Sequence, residues 1–340
     1  MRFDAALPPT HLGAVAETAH AAEAMGFSAL WTTETQHDPF LPHTIIAEHT
    51  TRLQSGTAVA IAFARSPATL AYTAWDLAQH SGGRFILGLG TQVKAHVERR
   101  FGMSWPESVT GKLREQIHAI RAFWDCWQNG TPLNYRSEHY KLTLMSPFFN
   151  PGSIEHPDIP IYIAGVNTGL ARLAGEMCEG FHVHPFHTQK YLSEVILPAI
   201  TQGAETAGRA RKDVTISASI FAAADEIQRE FCRQQISFYA STPSYRHVME
   251  LHGWGEIAEK LSSLASRGQW GEMPGLIGDE MLDEFCIQAG ENELAETIHE
   301  RYASLVDRIT LYMPFMPGSQ DALWKKLSEY FNGSGELTTL

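Results

Sequence analysis

Residues 81–90 read SGGRFILGLG, and this stretch decides the fold. Ser81, Gly82 and Gly83 are typical of a turn. After Arg84, the six residues FILGLG (85–90) carry no polar side chain. A continuous run of this kind is typical of a strand buried on both faces, as in a parallel sheet covered by helices. The stretch therefore predicts an α/β architecture.

A strand-then-helix rhythm extends outward from this stretch in both directions. Helical patterns separate nearly all of the predicted strands, and residues 11–25, closed by Gly26, are one example. The eight predicted strands cover residues 2–7, 28–32, 54–61, 85–90, 159–164, 181–184, 214–222 and 308–312. Because no Gly/Ser-rich linker divides the chain, this pattern predicts one (β/α)8 barrel over residues 1–340 rather than a doubly wound sheet.

Two longer segments interrupt the rhythm, at about residues 129–158 and 242–278, and we interpret them as insertions. Tyr135 and Tyr140 are spaced as in a small hairpin. Loops on a rigid barrel carry specificity, so the aromatic content of both segments predicts an apolar or aromatic small-molecule substrate. The residues concerned are Tyr135, Tyr140, Phe148, Phe149, Tyr245, Trp254 and Trp270.

Composition excludes several classes of protein. The 340 residues include 38 acidic and 26 basic side chains, a formal net charge of −12. That balance argues against binding nucleic acid or an anionic membrane surface, since both require a surplus of Lys and Arg. The sequence has no apolar run of the roughly 18 residues that a membrane span needs, and no signal peptide pattern. We therefore expect a cytoplasmic protein. The four cysteines lie more than fifty residues apart, which excludes a CxxC pair.

A polar segment, residues 33–39, follows the second predicted strand, and chemistry in a barrel lies on the loops that follow the strands. Glu34, His37 and Asp38 fall within five residues of one another. Such a cluster can supply a proton donor beside a bound ligand, because neighbouring charges shift pKa values. The alternative is a turn before Pro39 with Glu34 in solvent.

The fifth predicted strand leads through Gly165-Val166-Asn167-Thr168-Gly169 directly into a helix. Glycines permit close approach, Asn167 or Thr168 can cap the helix, and the N–H groups of its first turn attract anions. This pattern predicts a phosphate site, although a capped helix start explains the residues equally well. It is neither a GxGxxG nor a Walker motif.

Three histidines, His182, His184 and His187, cluster after the sixth predicted strand. An HxH pair points both imidazoles to one face of a strand, which raises the possibility of a metal site. A metallohydrolase would need an HxH pair on the first strand and further ligands on later strands, and the first strand has no HxH pair. We therefore interpret these histidines as pocket-lining or buried side chains and predict no metal.

Five segments, in this order, resemble the bacterial luciferase-like flavin oxidoreductase family, and more narrowly its branch that uses the deazaflavin coenzyme F420. The resemblance extends from Phe3 to about Phe315, and the SGGRF-LGLGT segment is its most specific part. The segments are GFSALWTTETQHDPF (26–40), SGTAVAIAFARSP (55–67), SGGRFILGLGTQVKAHVERRFG (81–102), IPIYIAGVNTG (159–169) and GFHVHPFHT (180–188).

The resemblance implies a (β/α)8 barrel, usually a homodimer, with the coenzyme at the carboxyl ends of the strands. It further implies a bulge on the third strand behind the coenzyme ring, where the Ala58–Val59 peptide is often cis. The coenzyme-binding positions that it implies are Thr33, Ala58, Val59, Thr91 and His96 for the ring and its chain, and Gly165, Val166, Asn167, Thr168, His184, Pro185, Phe186 and Thr188 for the phosphate.

Two departures from the family pattern bear on the reaction. Sugar-phosphate dehydrogenases of this branch have Asp-His where this chain has Thr33-Glu34, and an acid where it has Gln92. The resemblance thus argues against a sugar-phosphate substrate, and it leaves Glu34 or His37 as the candidate catalytic acid or base. The leading hypothesis is an F420-dependent oxidoreductase. An FMN-dependent monooxygenase and a flavin-binding protein without turnover are the alternatives.

Overall fold

The structure, a computed structural model, describes residues 1–333 of the chain. Its strands are β1 (Arg2–Ala6), β2 (Ala29–Thr32), β3 (Gln54–Thr57), β4 (Ala60–Ile61), β5 (Phe85–Gly90), β6 (Tyr135–Arg136), β7 (Lys141–Leu142), β8 (Ile161–Gly165), β9 (Gly180–Val183), β10 (Thr215–Ala223), β11 (Cys286–Gln288) and β12 (Arg308–Leu311). Its α-helices are α1 (Val15–Met25), α2 (Leu41–His49), α3 (Pro67–Ser81), α4 (Lys94–Arg99), α5 (Val109–Asn129), α6 (Thr168–Met177), α7 (Gln189–Tyr191), α8 (Leu197–Thr206), α9 (Glu226–Ala240), α10 (Arg246–Leu251), α11 (Gly255–Ser266), α12 (Asp279–Phe285), α13 (Leu294–Tyr302) and α14 (Asp321–Gly333).

Eight strands form a closed parallel barrel in the order β1, β2, β3, β5, β8, β9, β10 and β12, with β12 pairing with β1. These are the eight predicted strands, so the (β/α)8 prediction is confirmed. Strand β4 continues β3 after an interruption and pairs with β5. Strand β11 pairs with the carboxyl end of β10. The sequence did not indicate β11, because three residues, CIQ, are too few to show a period.

Two compact units interleave along the chain, and the expectation of one domain over residues 1–340 stays a prediction. The first unit comprises residues 7–23 and 29–164, and its core contains Trp31, Ile86 and Tyr162. The second unit comprises residues 1–6, 24–28 and the chain from residue 165 onward. A cluster of aromatic rings forms its core, made of Phe3, Phe27, Phe315, Trp324 and Phe331.

The two predicted insertions differ in structure, the first being mostly irregular and the second mostly helical. In the first, β6 and β7 form the predicted hairpin, with Tyr135 opposite Leu142. The second contains all of α10 and all of α11. No helix within residues 1–333 is both long and apolar enough to cross a membrane.

One predicted helix, residues 189–208, is interrupted in the structure. Residues 192–196 form a π-helical turn between α7 and α8. Pro198 lies in the first turn of α8 and has no N–H to donate to the preceding turn. The interruption therefore follows from a proline that the apolar periodicity alone does not reveal.

Candidate active site

A β-bulge lies at the carboxyl end of β3, in the first unit. The ladder between β3 and β5 runs to the pair Gly56 and Ile86 and resumes at Ala60 and Leu89. Three residues, 57–59, therefore stand opposite two, 87–88. The Thr57 hydroxyl replaces the missing ladder bonds, since it donates to the Gly88 carbonyl (2.6 Å) and accepts from the Gly88 N–H (3.0 Å).

One glycine, Gly90, packs directly against this bulge, and a second, Gly56, precedes it on β3. The Ala58–Val59 peptide in the bulge is cis, as the resemblance implied. A Cβ atom on Gly90 would lie 2.3 Å from Cγ2 of Val59. A Cβ atom on Gly56 would lie 2.6 Å from both the Ile86 carbonyl oxygen and the Trp31 ring. The bulge therefore packs directly on backbone, which gives it a fixed outline.

The side chain of Glu34, two residues after β2, is buried, and one of its carboxylate oxygens accepts two hydrogen bonds. Its Oε2 accepts hydrogen bonds from the Ile61 backbone N–H and from Nη1 of Arg65, both at 2.6 Å. The Glu34 side chain is only 6% exposed. The alternative interpretation of a solvated Glu34 is therefore wrong. Sequence reasoning did not single out Arg65, and its only signal is a lone basic residue in an apolar segment before Pro67.

Thr33 and His37 lie in the same loop and are exposed. The turn in this loop is made by Asp38, whose Oδ1 accepts from the backbone N–H groups of Phe40 (2.8 Å) and Leu41 (3.2 Å). Within residues 1–333, the His37 ring has no hydrogen-bond or ring partner. Of the two candidate acids or bases, His37 is thus the one available to a ligand.

Thr91 directly follows β5, and His96 lies in the next helix, α4. Thr91 is half-buried, and His96 is exposed. Gln92 has a positive φ of 57°, and its side chain accepts from the Val93 N–H at 3.0 Å. Nη2 of Arg100 donates to the Thr35 carbonyl at 2.7 Å. This bond joins the α4 region to the loop that carries Glu34 and His37.

The start of α6, in the second unit, opens onto a pocket of about 530 Å³. Asn167 occupies the N-cap position, but its side chain makes no capping bond and donates instead to the Ser244 carbonyl at 3.3 Å. Of the two caps that the sequence offered, Asn167 lies at the N-cap position but its Oδ1 accepts no first-turn N–H, while its Nδ2 binds the second insertion. The first-turn N–H groups of α6 remain available to an anion. Asn167, Thr168, Tyr191, Val195, His247 and Leu251 line the pocket.

Two predicted phosphate loops, residues 165–168 and 184–188, are joined in this unit by Tyr191. Its hydroxyl donates to the Val166 carbonyl (3.0 Å), and its N–H donates to Oγ1 of Thr188 (3.0 Å). Oγ1 of Thr188 also contacts Nε2 of His252 at 2.8 Å. The structure therefore links Val166 of one predicted loop to Thr188 of the other and adds Tyr191 and His252, which the sequence analysis did not identify.

His187 is buried and His184 is half-buried, and hydrogen bonds fix the orientation of both rings. Nδ1 of His184 accepts from the Phe186 N–H (3.1 Å), and its ring packs on Tyr245. Nδ1 of His187 donates to the His184 carbonyl (2.8 Å), and its Nε2 contacts the Tyr302 hydroxyl (3.1 Å). Burial lowers the pKa of His184 to about 3 and that of His187 to about 4. Both imidazoles are therefore neutral at pH 7.

Comparison with known proteins agrees with these features. The family model described as luciferase-like monooxygenase matches residues 1–308. The chain belongs to this family. It is accordingly an oxidoreductase, as the sequence analysis predicted.

Relatives of this luciferase-like protein span almost its entire length. An uncharacterized protein of Mycobacterium tuberculosis is 39% identical over 97% of this chain and 98% of its own length. The 5,10-methylenetetrahydromethanopterin reductase of Methanolobus tindarius is 28% identical over 91% of this chain and 93% of its own. The solved structure of the coenzyme F420 dependent tetrahydromethanopterin reductase from Methanopyrus kandleri has a TM-score of 0.79 at 22% identity, covering 98% and 99% of the two chains.

Proposed function

We propose that this luciferase-like protein is an F420-dependent oxidoreductase that transfers a hydride between the deazaflavin and an apolar organic substrate. The observation that carries the proposal is the pocket at the start of α6, whose unused N–H groups suit the phosphate of a coenzyme. FMN also has a phosphate, so the choice of F420 is supported by the named relatives, one of which is F420-dependent.

The bulge suits the ring of such a coenzyme. The bulge at Ala58 and Val59, with Val59 packed on Gly90, is a firm surface of the kind on which a planar ring can rest. When bound, the deazaflavin supplies a ring carbon that takes or gives the hydride. The protein's contribution is to orient that ring and exclude water. We assign the ring and its chain to Thr33, Ala58, Val59, Thr91 and His96, and the phosphate to Gly165, Val166, Asn167, Thr168, His184, Pro185, Phe186 and Thr188.

The aromatic residues of the second insertion support an apolar substrate. Tyr245 packs against the His184 ring, with centroids 4.6 Å apart. Trp254 stacks on His252 at 4.5 Å and lies 6.3 Å from the Phe285 ring. Such surfaces favour ligands with extensive apolar area. We further propose, from the family and the composition, that the protein is a homodimer of the cytoplasm.

Coenzyme titration tests the proposed function. We expect purified protein to quench or shift F420 fluorescence with one site per chain, and to bind FMN at least about 10-fold more weakly, a difference of about 1.4 kcal/mol. Tight binding of FMN without any response to F420 would favour the alternative, an FMN-dependent monooxygenase. Absence of binding by either coenzyme would contradict both.

His37→Gln tests the assignment of the proton carrier. We propose that His37, not Glu34, exchanges the proton that accompanies hydride transfer, because Glu34 is committed to Arg65 and Ile61. We expect the variant to bind F420 as the wild type does and to lose about 10²–10⁴-fold in rate. The rate is followed as the change in F420 absorbance with a panel of alcohols, aldehydes and enones. The exposed His11, changed to Gln, is the matched control. An unchanged rate in His37→Gln would remove the assignment.

A further inference from the structure

Arg65 links two carboxylates of the loop after β2 to the segment that follows the bulge. We infer that Arg65 is a positioning residue, which fixes the loop carrying His37 relative to the bulge on which the coenzyme ring rests. This inference rests on the proposed function, because the bulge is assigned to the coenzyme there.

One oxygen of Glu34 holds two points of the segment after the bulge. The Ile61 N–H, in β4, and Nη1 of Arg65 both donate to Oε2 at 2.6 Å. The side chains of Arg65 and Glu34 are 17% and 6% exposed, so water competes little for these bonds. A carboxylate at the end of β2 therefore clamps the residues that come directly after the bulge.

Arginine is the side chain that this arrangement requires. While Nη1 binds Glu34, Nη2 reaches Oδ2 of Asp38 at 3.2 Å. The guanidinium also lies over the Phe40 ring, 5.2 Å from its centroid. A planar fork can bind two carboxylates at once, whereas the ammonium of lysine is a single point charge. Arg65 thus holds both ends of the polar loop, Glu34 and Asp38, with His37 between them in the sequence.

A second side chain fixes the same segment from α5. Gln116 is buried, and its Nε2 donates to the carbonyls of Ala62 (2.9 Å) and Arg65 (3.0 Å). With the Arg65 backbone anchored in this way, the guanidinium is presented from a fixed base. Movement of the loop is therefore opposed by the backbone of the bulge segment and not merely by a flexible surface ion pair.

In Arg65→Ala the Glu34 carboxylate stays buried but loses the guanidinium. Of the two donors to its Oε2 described above, the Ile61 N–H remains. A buried charge that loses its partner is strongly unfavourable, so the loop is expected to move until water reaches Glu34. That movement displaces His37 and loosens the segment at Ile61. Coenzyme affinity and rate should therefore fall together.

The test compares F420 affinity in Arg65→Ala, Arg65→Lys and wild type by fluorescence titration. We expect Arg65→Ala to bind about 10-fold or more weakly and Arg65→Lys to lie between it and the wild type. Added methylguanidinium should restore affinity to Arg65→Ala but not to the double variant Glu34→Ala/Arg65→Ala. A merely structural role would not produce such rescue.

Arg84→Ala is the matched control, because Arg84 is also half-buried and binds four acceptors, yet none lies in residues 33–38 or 57–65. We expect it to lower stability without changing F420 affinity. If the wild type binds no F420, the proposed function and this inference both fail. If the wild type binds F420 and Arg65→Ala binds it equally well, or Arg84→Ala weakens binding as much, only the inference is overturned.

Discussion

Gly90→Ala is expected to weaken F420 binding by about 100-fold, which corresponds to about 2.7 kcal/mol. The added Cβ would lie 2.3 Å from Cγ2 of Val59, far inside contact distance. Valine is stiff at χ1, so the side chain cannot swing away, and the bulge backbone must move instead. Because the bulge is the proposed support of the coenzyme ring, its displacement should appear in the dissociation constant measured by fluorescence titration.

A second substitution separates this effect from general damage. In Gly90→Ala/Val59→Ala the atom that collides with the new Cβ is absent, so the affinity should recover to that of Val59→Ala alone, which lacks only the Val59 contact with the ring. Gly278→Ala is the matched control, since a Cβ there meets nothing within 4 Å and Gly278 has an ordinary φ of −68°. We expect it to bind F420 as the wild type does. Failure of the double variant to recover, with its thermal unfolding restored, would contradict the role of the bulge.

The barrel was predictable because its strands are buried, and burial on both faces leaves continuous apolar runs such as Phe85–Gly90. The residues at which helices begin were harder to predict. Helix α2 begins at Leu41, four residues before the apolar pair Ile45 and Ile46, and Pro42 lies in its first turn. Periodicity reports which face is buried, and it does not report where a proline permits a helix to begin.

The sequence predicted which loops form the candidate site, but it did not predict the contacts between their side chains. Residues 33–39 and 165–169 were found because they follow strands, where barrel chemistry lies. Arg65, Tyr191 and His252 were missed, since each acts on a residue distant in the sequence or on a backbone carbonyl. Asn167 illustrates the same limit, because a local rule assigns it to the helix cap and a distant carbonyl, Ser244, receives its amide.

Arg308→Met is expected to lower the free energy of unfolding by about 3–5 kcal/mol, measured by urea denaturation. Arg308, on β12, forms a bidentate ion pair with Asp4, on β1, with distances of 2.7 Å and 3.0 Å. The two side chains are 1% and 0% exposed. The substitution leaves the Asp4 carboxylate buried without its guanidinium, and the protein interior solvates such a charge poorly.

The double variant Asp4→Leu/Arg308→Met separates two explanations for a loss of stability in Arg308→Met. One is the cost of a buried, unpaired Asp4 carboxylate, and the other is the loss of stabilisation by the ion pair itself. Two charges that are removed from water lose their hydration free energy, and their mutual attraction compensates for only part of that loss. Apolar side chains of similar volume therefore often replace a buried ion pair without a loss of stability. We therefore expect the double variant to be closer in stability to the wild type than Arg308→Met is. A double variant less stable than Arg308→Met would show that the ion pair itself stabilises the barrel where β12 meets β1. A cost of less than about 1 kcal/mol for Arg308→Met alone would show that water reaches Asp4.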